Sequence, residues 1–187
     1  MVKILVFAAS LREESLNRKL ATVAARYAEE EGAEVQHVHF QELAPPLYNG
    51  DAQQKIGFPV ETEKFVQYLE EADGLILASP EYNYSLPGTL KNAIDWVSRV
   101  RPMPLRGKSA LLISTSTGQI GGIRGLWQLR IPLEGLGVYV HPDMYALPWG
   151  GKMFDEEGYL VEEERGELLQ KMVRSFISFT ERIASSR

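Results

Sequence analysis

The sequence contains no cysteine among its 187 residues. Disulfide bonds, thiolate nucleophiles, zinc ribbons and iron–sulfur ligation by cysteine are therefore excluded together. Long hydrophobic runs are also missing, since no stretch approaches the roughly 18 uninterrupted apolar residues of a membrane span. The opening run MVKILVF is too short for the apolar region of a secretory signal. These absences predict a soluble, cytoplasmic protein that does not enter a membrane.

An excess of positive charge is the next missing feature. The chain has 20 Lys and Arg residues against 25 Asp and Glu residues, and its formal net charge is −5. The basic residues are scattered among acidic ones, whereas nucleic acids and anionic membranes are bound by concentrated basic surfaces. Neither is an expected partner, and any anionic ligand must be bound by a local group of residues.

Five short runs predict β-strands within a single domain over residues 1–187. With 44% apolar residues, a chain of this length can build one core and is short for two. Four runs are apolar on both faces, as buried parallel strands are, whereas EVQHVHF alternates as an edge strand does. The runs lie at 3–9, 34–40, 74–79, 110–115 and 137–142.

Helical patterns separate the predicted strands. One spans Asn17 to Glu31 and another Glu61 to Glu71, each with apolar residues three or four positions apart. A third helix is predicted to begin with Ser85 as N-cap and Pro87 in its first turn. The alternation predicts an α/β fold, in which right-handed crossovers connect a doubly wound, five-stranded parallel sheet with helices on both faces.

Later segments are less regular. Pro132 is expected to kink or end the helix that follows Gly122. The segments 43–59 and 144–160 are expected to be irregular. The last helix is predicted to turn four residues toward the core, namely Leu168, Met172, Phe176 and Phe179.

Ligands of doubly wound sheets bind beyond the carboxyl ends of the strands, where the winding reverses. The first loop at that edge, ASLREESLN, leaves a strand and opens a helix, so its free N–H groups favour an anion. Ser10, Ser15 and Asn17 add polar side chains, and Arg12 adds a positive charge. This set suits a terminal phosphate. A capped helix start with a solvated arginine is the alternative.

The glycines that a dinucleotide pyrophosphate requires are absent from this first loop. GQIGGIRG at 118–125 does follow a strand, but Ile120 stands where the dinucleotide motif has its second glycine. We interpret that segment as a loop in which backbone approaches a ligand closely, with a plain turn as the alternative.

The loop between these two, PEYNYS, supplies flat and hydrogen-bonding groups. Pro80 stiffens it, Asn83 offers an amide, and Tyr82 and Tyr84 offer aromatic surface. A planar, hydrogen-bonding ring is the expected guest, although tyrosines at a sheet edge also serve as packing residues. Glu81 is interpreted as a hydrogen-bond anchor rather than a catalyst.

Two histidines, His37 and His39, alternate on the predicted edge strand and could resemble a metal-binding pair. No third ligand is evident in the sequence, so a solvated strand face is the favoured interpretation.

Taken in order, SLREESLN, SPEYNYSLPGTLKNAIDWVSR and TSTGQIGGIRG resemble the NAD(P)H-dependent FMN reductase family. That family has the flavodoxin-like fold with strand order 2-1-3-4-5, and it includes quinone, chromate and azo-compound reductases. The resemblance extends over nearly the whole chain. One departure is Ala9, which stands where these proteins usually carry glycine.

The resemblance implies a bound FMN, with its phosphate at the first loop and its isoalloxazine ring between the other two. Tyr82, Tyr84 and Trp149 would form walls around the entrance. The implied cofactor-binding residues are Ser10, Arg12, Ser15, Leu16, Asn17, Pro80, Glu81, Tyr82, Asn83, Thr115, Ser116 and Gly118.

The implied activity is hydride transfer from NAD(P)H to FMN and onward to a quinone, chromate, an azo compound or free flavin. A flavodoxin-like electron-transfer protein is the alternative, although flavodoxins usually carry a T-x-T-G-x-T-like phosphate loop and a markedly acidic docking face. The resemblance also implies a homodimer or homotetramer. Arg124, Trp127 and Asp143 would lie either at its interface or on an ordinary surface.

Overall fold

The computed structural model describes residues 1–186, and a five-stranded parallel sheet lies at its centre. The strands span Lys3–Ala8 (β1), Glu34–His37 (β2), Gly74–Ala78 (β3), Ser109–Thr115 (β4) and Tyr139–Leu147 (β5). Their order is β2-β1-β3-β4-β5, and every neighbouring pair is parallel. The predicted doubly wound sheet of order 2-1-3-4-5 is confirmed.

Six α-helices connect or follow these strands in the described part of the chain. They span Leu16–Glu30 (α1), Gly50–Ile56 (α2), Val60–Glu71 (α3), Gly88–Val97 (α4), Ile123–Gly135 (α5) and Glu163–Ala184 (α6). None of the helices within residues 1–186 combines the length and the apolar character needed to cross a membrane.

The sheet separates two hydrophobic clusters. Side chains of a strand alternate between its faces, so Leu5 and Phe7 enter one cluster while Ile4 and Val6 enter the other. The first cluster packs beneath α3, α4 and α5, and the second beneath α1 and α6. All residues of β3 and β4 are buried, as their continuous apolar runs predicted.

The start of α4 differs from the prediction. Pro87 is the N-cap and the helix begins at Gly88, because Ser85 is engaged in a short antiparallel bridge with Tyr82. Of the kink or early end predicted at Pro132, the early end is also wrong. Pro132 lies in the last turn of α5, and the helix continues to Gly135, so the missing N–H affects only the end of the helix.

Two further boundaries and one helix face need correction. β2 ends at His37 and β5 continues to Leu147, so residues 144–147 are strand rather than irregular. The segment 43–59 contains α2, which Asn49 caps. Leu168 is 53% exposed, because the buried stripe of α6 passes through its neighbour. That stripe contains Leu169, Val173, Phe176 and Ile177, while Met172 and Phe179 pack at its margin.

Asn92 of α4 fixes the course of the chain before α2. Its side-chain amide donates to the carbonyls of Pro45 and Pro46 at 3.0 Å each, and its carbonyl oxygen accepts from Tyr48 N–H at 2.8 Å. Trp96, one turn later, donates to Pro46 O at 2.8 Å. Because Asn92 is buried, Pro45 O and Tyr48 N–H depend on its side chain for partners.

Replacing Asn92 with alanine is expected to lower the free energy of unfolding by about 1–3 kcal/mol, since it leaves buried polar groups without partners. Lys91→Ala is the matched control on the same helix, because Lys91 forms a surface ion pair with Asp95 that is worth about 0.5 kcal/mol or less. Urea unfolding monitored by circular dichroism measures both changes. Equal effects of the two substitutions would contradict the anchoring role of Asn92.

Candidate functional site

Three loops meet at the carboxyl edge of the sheet, beside the switch point between β1 and β3. They are the first loop (residues 9–17), the second or middle loop (79–85) and the third loop (115–122). They enclose an open cleft of about 210 Å³. The cleft brings together ten of the twelve residues predicted for the site and adds Thr117; Asn83 and Gly118 do not line it. Its lining consists of Ser10, Arg12, Ser15, Leu16, Asn17, Pro80, Glu81, Tyr82, Thr115, Ser116 and Thr117.

The first loop presents hydrogen-bond donors and one positive charge. Ser15 is the N-cap of α1, but its hydroxyl makes no capping hydrogen bond. The N–H groups of Leu16 and Asn17, at the helix start, have no intrahelical acceptor. Arg12 is exposed, and within residues 1–186 its guanidinium forms no ion pair. These groups can all be directed to one anion.

Arg18 supports this loop from behind, a role that the sequence reading missed. Its guanidinium donates to the carbonyls of Arg12 and Glu13 at 3.4 and 3.3 Å, and to Nδ1 of His39 at 2.7 Å. Burial, with His39 and Arg18 nearby, lowers the pKa of His37. Through its bond to Arg18, His39 takes part in the support of the loop. No cluster of three possible metal ligands occurs in residues 1–186.

Asn17 connects the first loop to the third. Its side-chain amide donates to Thr115 O at 2.9 Å, and its carbonyl oxygen accepts from Thr115 N–H at 3.0 Å. The Thr115 hydroxyl in turn donates to Leu147 O at 2.9 Å. Asn17 and Thr115 are both buried. The start of α1 and the ends of β4 and β5 are therefore joined at one point.

The middle loop is a tight hairpin with strained backbone. Tyr82 and Ser85 exchange backbone hydrogen bonds of 2.9 and 3.0 Å. Asn83 and Tyr84 between them have φ of 48° and 67°, as a type I′ turn requires. This left-handed region is unfavourable for a bulky residue such as tyrosine, so surrounding contacts must maintain it.

Glu81 supplies part of that support. Its carboxylate, 9% exposed, accepts from the backbone N–H groups of Arg124 and Gly125 at 3.1 and 3.2 Å and from Arg124 Nε at 2.8 Å. The Arg124 guanidinium lies 4.1 Å from the centre of the Tyr84 ring. Glu81 thus caps the N-terminus of α5 and serves as the predicted hydrogen-bond anchor.

A fourth segment, residues 148–150, packs against the third loop. The sequence analysis associated only Trp149 of this segment with the site. Trp149 N–H donates to Gly118 O at 3.1 Å, and Gly150 N–H donates to Ser116 O at 2.8 Å. A Cβ atom at Gly150 would overlap the hydroxyl of Thr115. Two adjacent glycines after a tryptophan were the available sequence signal for this close approach.

The cleft therefore combines an end rich in hydrogen-bond donors with a flat, partly aromatic end. In the described part of the chain, its lining includes no histidine. The donors at the first loop fit a phosphate, and Pro80 and Tyr82 offer surface for a planar ring. The residues present fit a mononucleotide that itself carries the chemistry.

Comparison with known proteins agrees with this geometry. Residues 2–150 match the model of the family described as NADPH-dependent FMN reductase. A quinone reductase of Escherichia coli (strain K12) is 38% identical over 140 residues, which cover 74% of each chain. A probable NADPH:quinone oxidoreductase 2 of Oryza sativa subsp. japonica is 34% identical over 189 residues, or 97% of this chain and 90% of the relative.

Among solved structures, this chain is similar to the flavoenzyme NAD(P)H:(acceptor) oxidoreductase FerB from Paracoccus denitrificans. The TM-score is 0.85 at 29% identity, and the match covers 97% of this chain and 98% of the other. A flavodoxin from the domain Archaea shares the fold, with a TM-score of 0.63 at 11% identity. The family match covers most of the chain, and the chain therefore belongs to the NADPH-dependent FMN reductase family.

Proposed function

We propose that this protein is an FMN-dependent NAD(P)H oxidoreductase that reduces quinones. The observation that carries the proposal is the meeting of a phosphate-type loop and an aromatic hairpin in one cleft, in a member of this family. The Escherichia coli and rice relatives are both named for quinone reduction, which makes a quinone the first acceptor to test.

The first loop would hold the phosphate of FMN. The hydroxyls of Ser10 and Ser15, the guanidinium of Arg12, and the backbone N–H groups of Leu16 and Asn17 form a donor set for its oxygens. Arg12 and the N-terminus of α1 supply positive charge at this loop, which also contains Glu13 and Glu14.

The second and third loops would hold the isoalloxazine ring. Pro80 and Tyr82 line the cleft from the second loop, and Thr115, Ser116 and Thr117 line it from the third. Glu81 is engaged with α5, and we assign it to positioning the hairpin that includes Asn83. The backbone N–H groups of Asn83 and Thr117, which have no acceptor within residues 1–186, would donate to the polar edge of the ring and favour added negative charge there.

When bound, FMN would supply the two-electron chemistry that links oxidation of NAD(P)H to reduction of a quinone, which takes up two protons to become the hydroquinone. The volume of about 210 Å³ is below the roughly 300–1,000 Å³ of sites that enclose a ligand. One side of the ring would therefore stay open to two flat substrates in succession. Tyr82, Tyr84 and Trp149 are each about half exposed or more and would form the walls of that opening.

The resemblance also supports several finer proposals. Chromate, azo compounds and free flavin are further acceptors that it implies. We propose that residues 1–187 form one domain in a cytoplasmic homodimer or homotetramer. Tyr84 and Trp127, which are 68% and 54% exposed beside Arg124, offer apolar surface for a partner copy.

Arg12→Ala is expected to raise the Kd for FMN by about 10- to 100-fold, the effect of removing a hydrogen-bonding partner from a charged group. Arg182→Ala is the matched control, because Arg182 is exposed in the last turn of α6. Two residues before it, Thr180 bonds Ser109 at the opposite edge of the sheet. Fluorescence titration of the apoprotein measures both Kd values, and a parental Kd in R12A would refute the phosphate assignment.

Rapid-mixing spectroscopy tests the enzymatic function against a flavodoxin-like shuttle. FMN-loaded protein mixed anaerobically with NADPH or NADH is expected to lose its visible flavin absorbance rapidly and saturably, and added quinone should restore it. Free FMN at the same concentration is the control. Bound flavin that both nicotinamides leave oxidised would support the electron-transfer alternative.

A further inference from the structure

We propose that the side chain of Asn17 positions the ring-binding end of the cleft through Thr115 and does not bind the phosphate. The inference rests on the proposed FMN site. Asn17 differs from the other polar residues of the first loop, because its backbone and its side chain have different roles. Its backbone N–H belongs to the anion-binding helix start, whereas its carboxamide faces the end of β4.

The carboxamide extends the hydrogen-bond ladder along β4 beyond the point where β3 ends. The last paired residues of β3 and β4 are Ala78 and Ile113, and Ser79 N–H donates to Ile113 O at 2.9 Å. Pro80 then leads the chain away from the sheet. Thr115, two residues after Ile113, presents its backbone groups on the same side of β4.

Asn17 occupies the place that β3 has left. Its Oδ1 accepts from Thr115 N–H and its Nδ2 donates to Thr115 O, at 3.0 and 2.9 Å, so one side-chain amide replaces a strand residue. Asn17 is 4% exposed and Thr115 is 2% exposed. Turning the carboxamide toward a phosphate would leave both Thr115 groups buried without partners, which is unfavourable.

The consequence lies at the ring end, because Thr115 precedes the residues that would line the ring. Ser116 O accepts from Gly150 N–H at 2.8 Å, and the Thr115 hydroxyl donates to Leu147 O. Releasing Thr115 therefore loosens the third loop and its contact with the fourth segment. Arg12, which is exposed at the cleft, makes no side-chain hydrogen bond to β4 within residues 1–186.

FMN and riboflavin carry the same ring and differ in the phosphate, so a pair of titrations separates the two roles. Asn17→Ala is expected to raise the Kd values of the apoprotein for both flavins by the same factor, about tenfold or more, as for a lost buried hydrogen-bonding group. Arg12→Ala is the matched comparison and should raise the Kd for FMN alone. The ratio of the two Kd values then changes in R12A and stays constant in N17A.

An N17A variant that weakens FMN but leaves riboflavin unchanged would overturn the proposal, and so would one that weakens neither. If the parent protein binds no flavin at all, the proposed function itself fails, which is a different outcome. Circular dichroism verifies folding of each variant. Asn17→Ser replaces N17A if the alanine variant does not fold, with the same expected pattern.

A second readout does not depend on riboflavin affinity. At saturating FMN, the midpoint potential of the bound flavin reports the ratio of the Kd values for oxidised and reduced FMN. A displaced third loop should change this ratio by about threefold or more in N17A, since nearby donors respond to the charge of the ring. R12A should leave that ratio at its parental value. Equal ratios in N17A and the parent would contradict the positioning role.

Discussion

The end of strand β4 is the point on which the cleft depends. A parallel sheet that stops must still find partners for the backbone groups at its edge, because buried N–H and C=O groups without partners are unfavourable. Here β3 ends at Ala78, two residues before Pro80, while β4 continues to Thr115. The carboxamide of Asn17 supplies the missing partners, and in doing so it joins the first helix to the third loop.

Other side-chain contacts to the backbone of the loops and helices extend the same principle around the cleft. Glu81 caps α5 and so ties the hairpin to the helix that follows the third loop. Arg18 bonds the carbonyls of the first loop. Each loop is thus fixed by a side chain from another segment, and the donors of the site are oriented before a ligand arrives. Preorganisation of this kind reduces the ordering cost of binding and favours a defined orientation of the bound ring.

Much of the architecture could be predicted from local sequence features. Apolar runs on both faces identify buried parallel strands, and the carboxyl ends of such strands meet at one edge, so residues as distant as Ser10 and Thr115 could be assigned to one site.

The start of α4 could not be predicted, because Ser85 is held in a hairpin that also depends on a contact between Glu81 and Arg124, 43 residues apart. Leu168 was one position from the buried stripe, since periodicity defines a helical face while tertiary packing decides its phase. The side-chain partners of Asn17 are 98 residues away, and no local pattern indicates them.

A crystal structure of the protein grown with FMN tests the central claim most directly. The account predicts the FMN phosphate at the start of α1, within hydrogen-bond distance of Ser15 and Arg12, and the ring between the hairpin and the third loop. It also predicts the Asn17 carboxamide still bonded to Thr115. Flavin bound elsewhere on the protein, or an Asn17 side chain turned onto the phosphate, would contradict it.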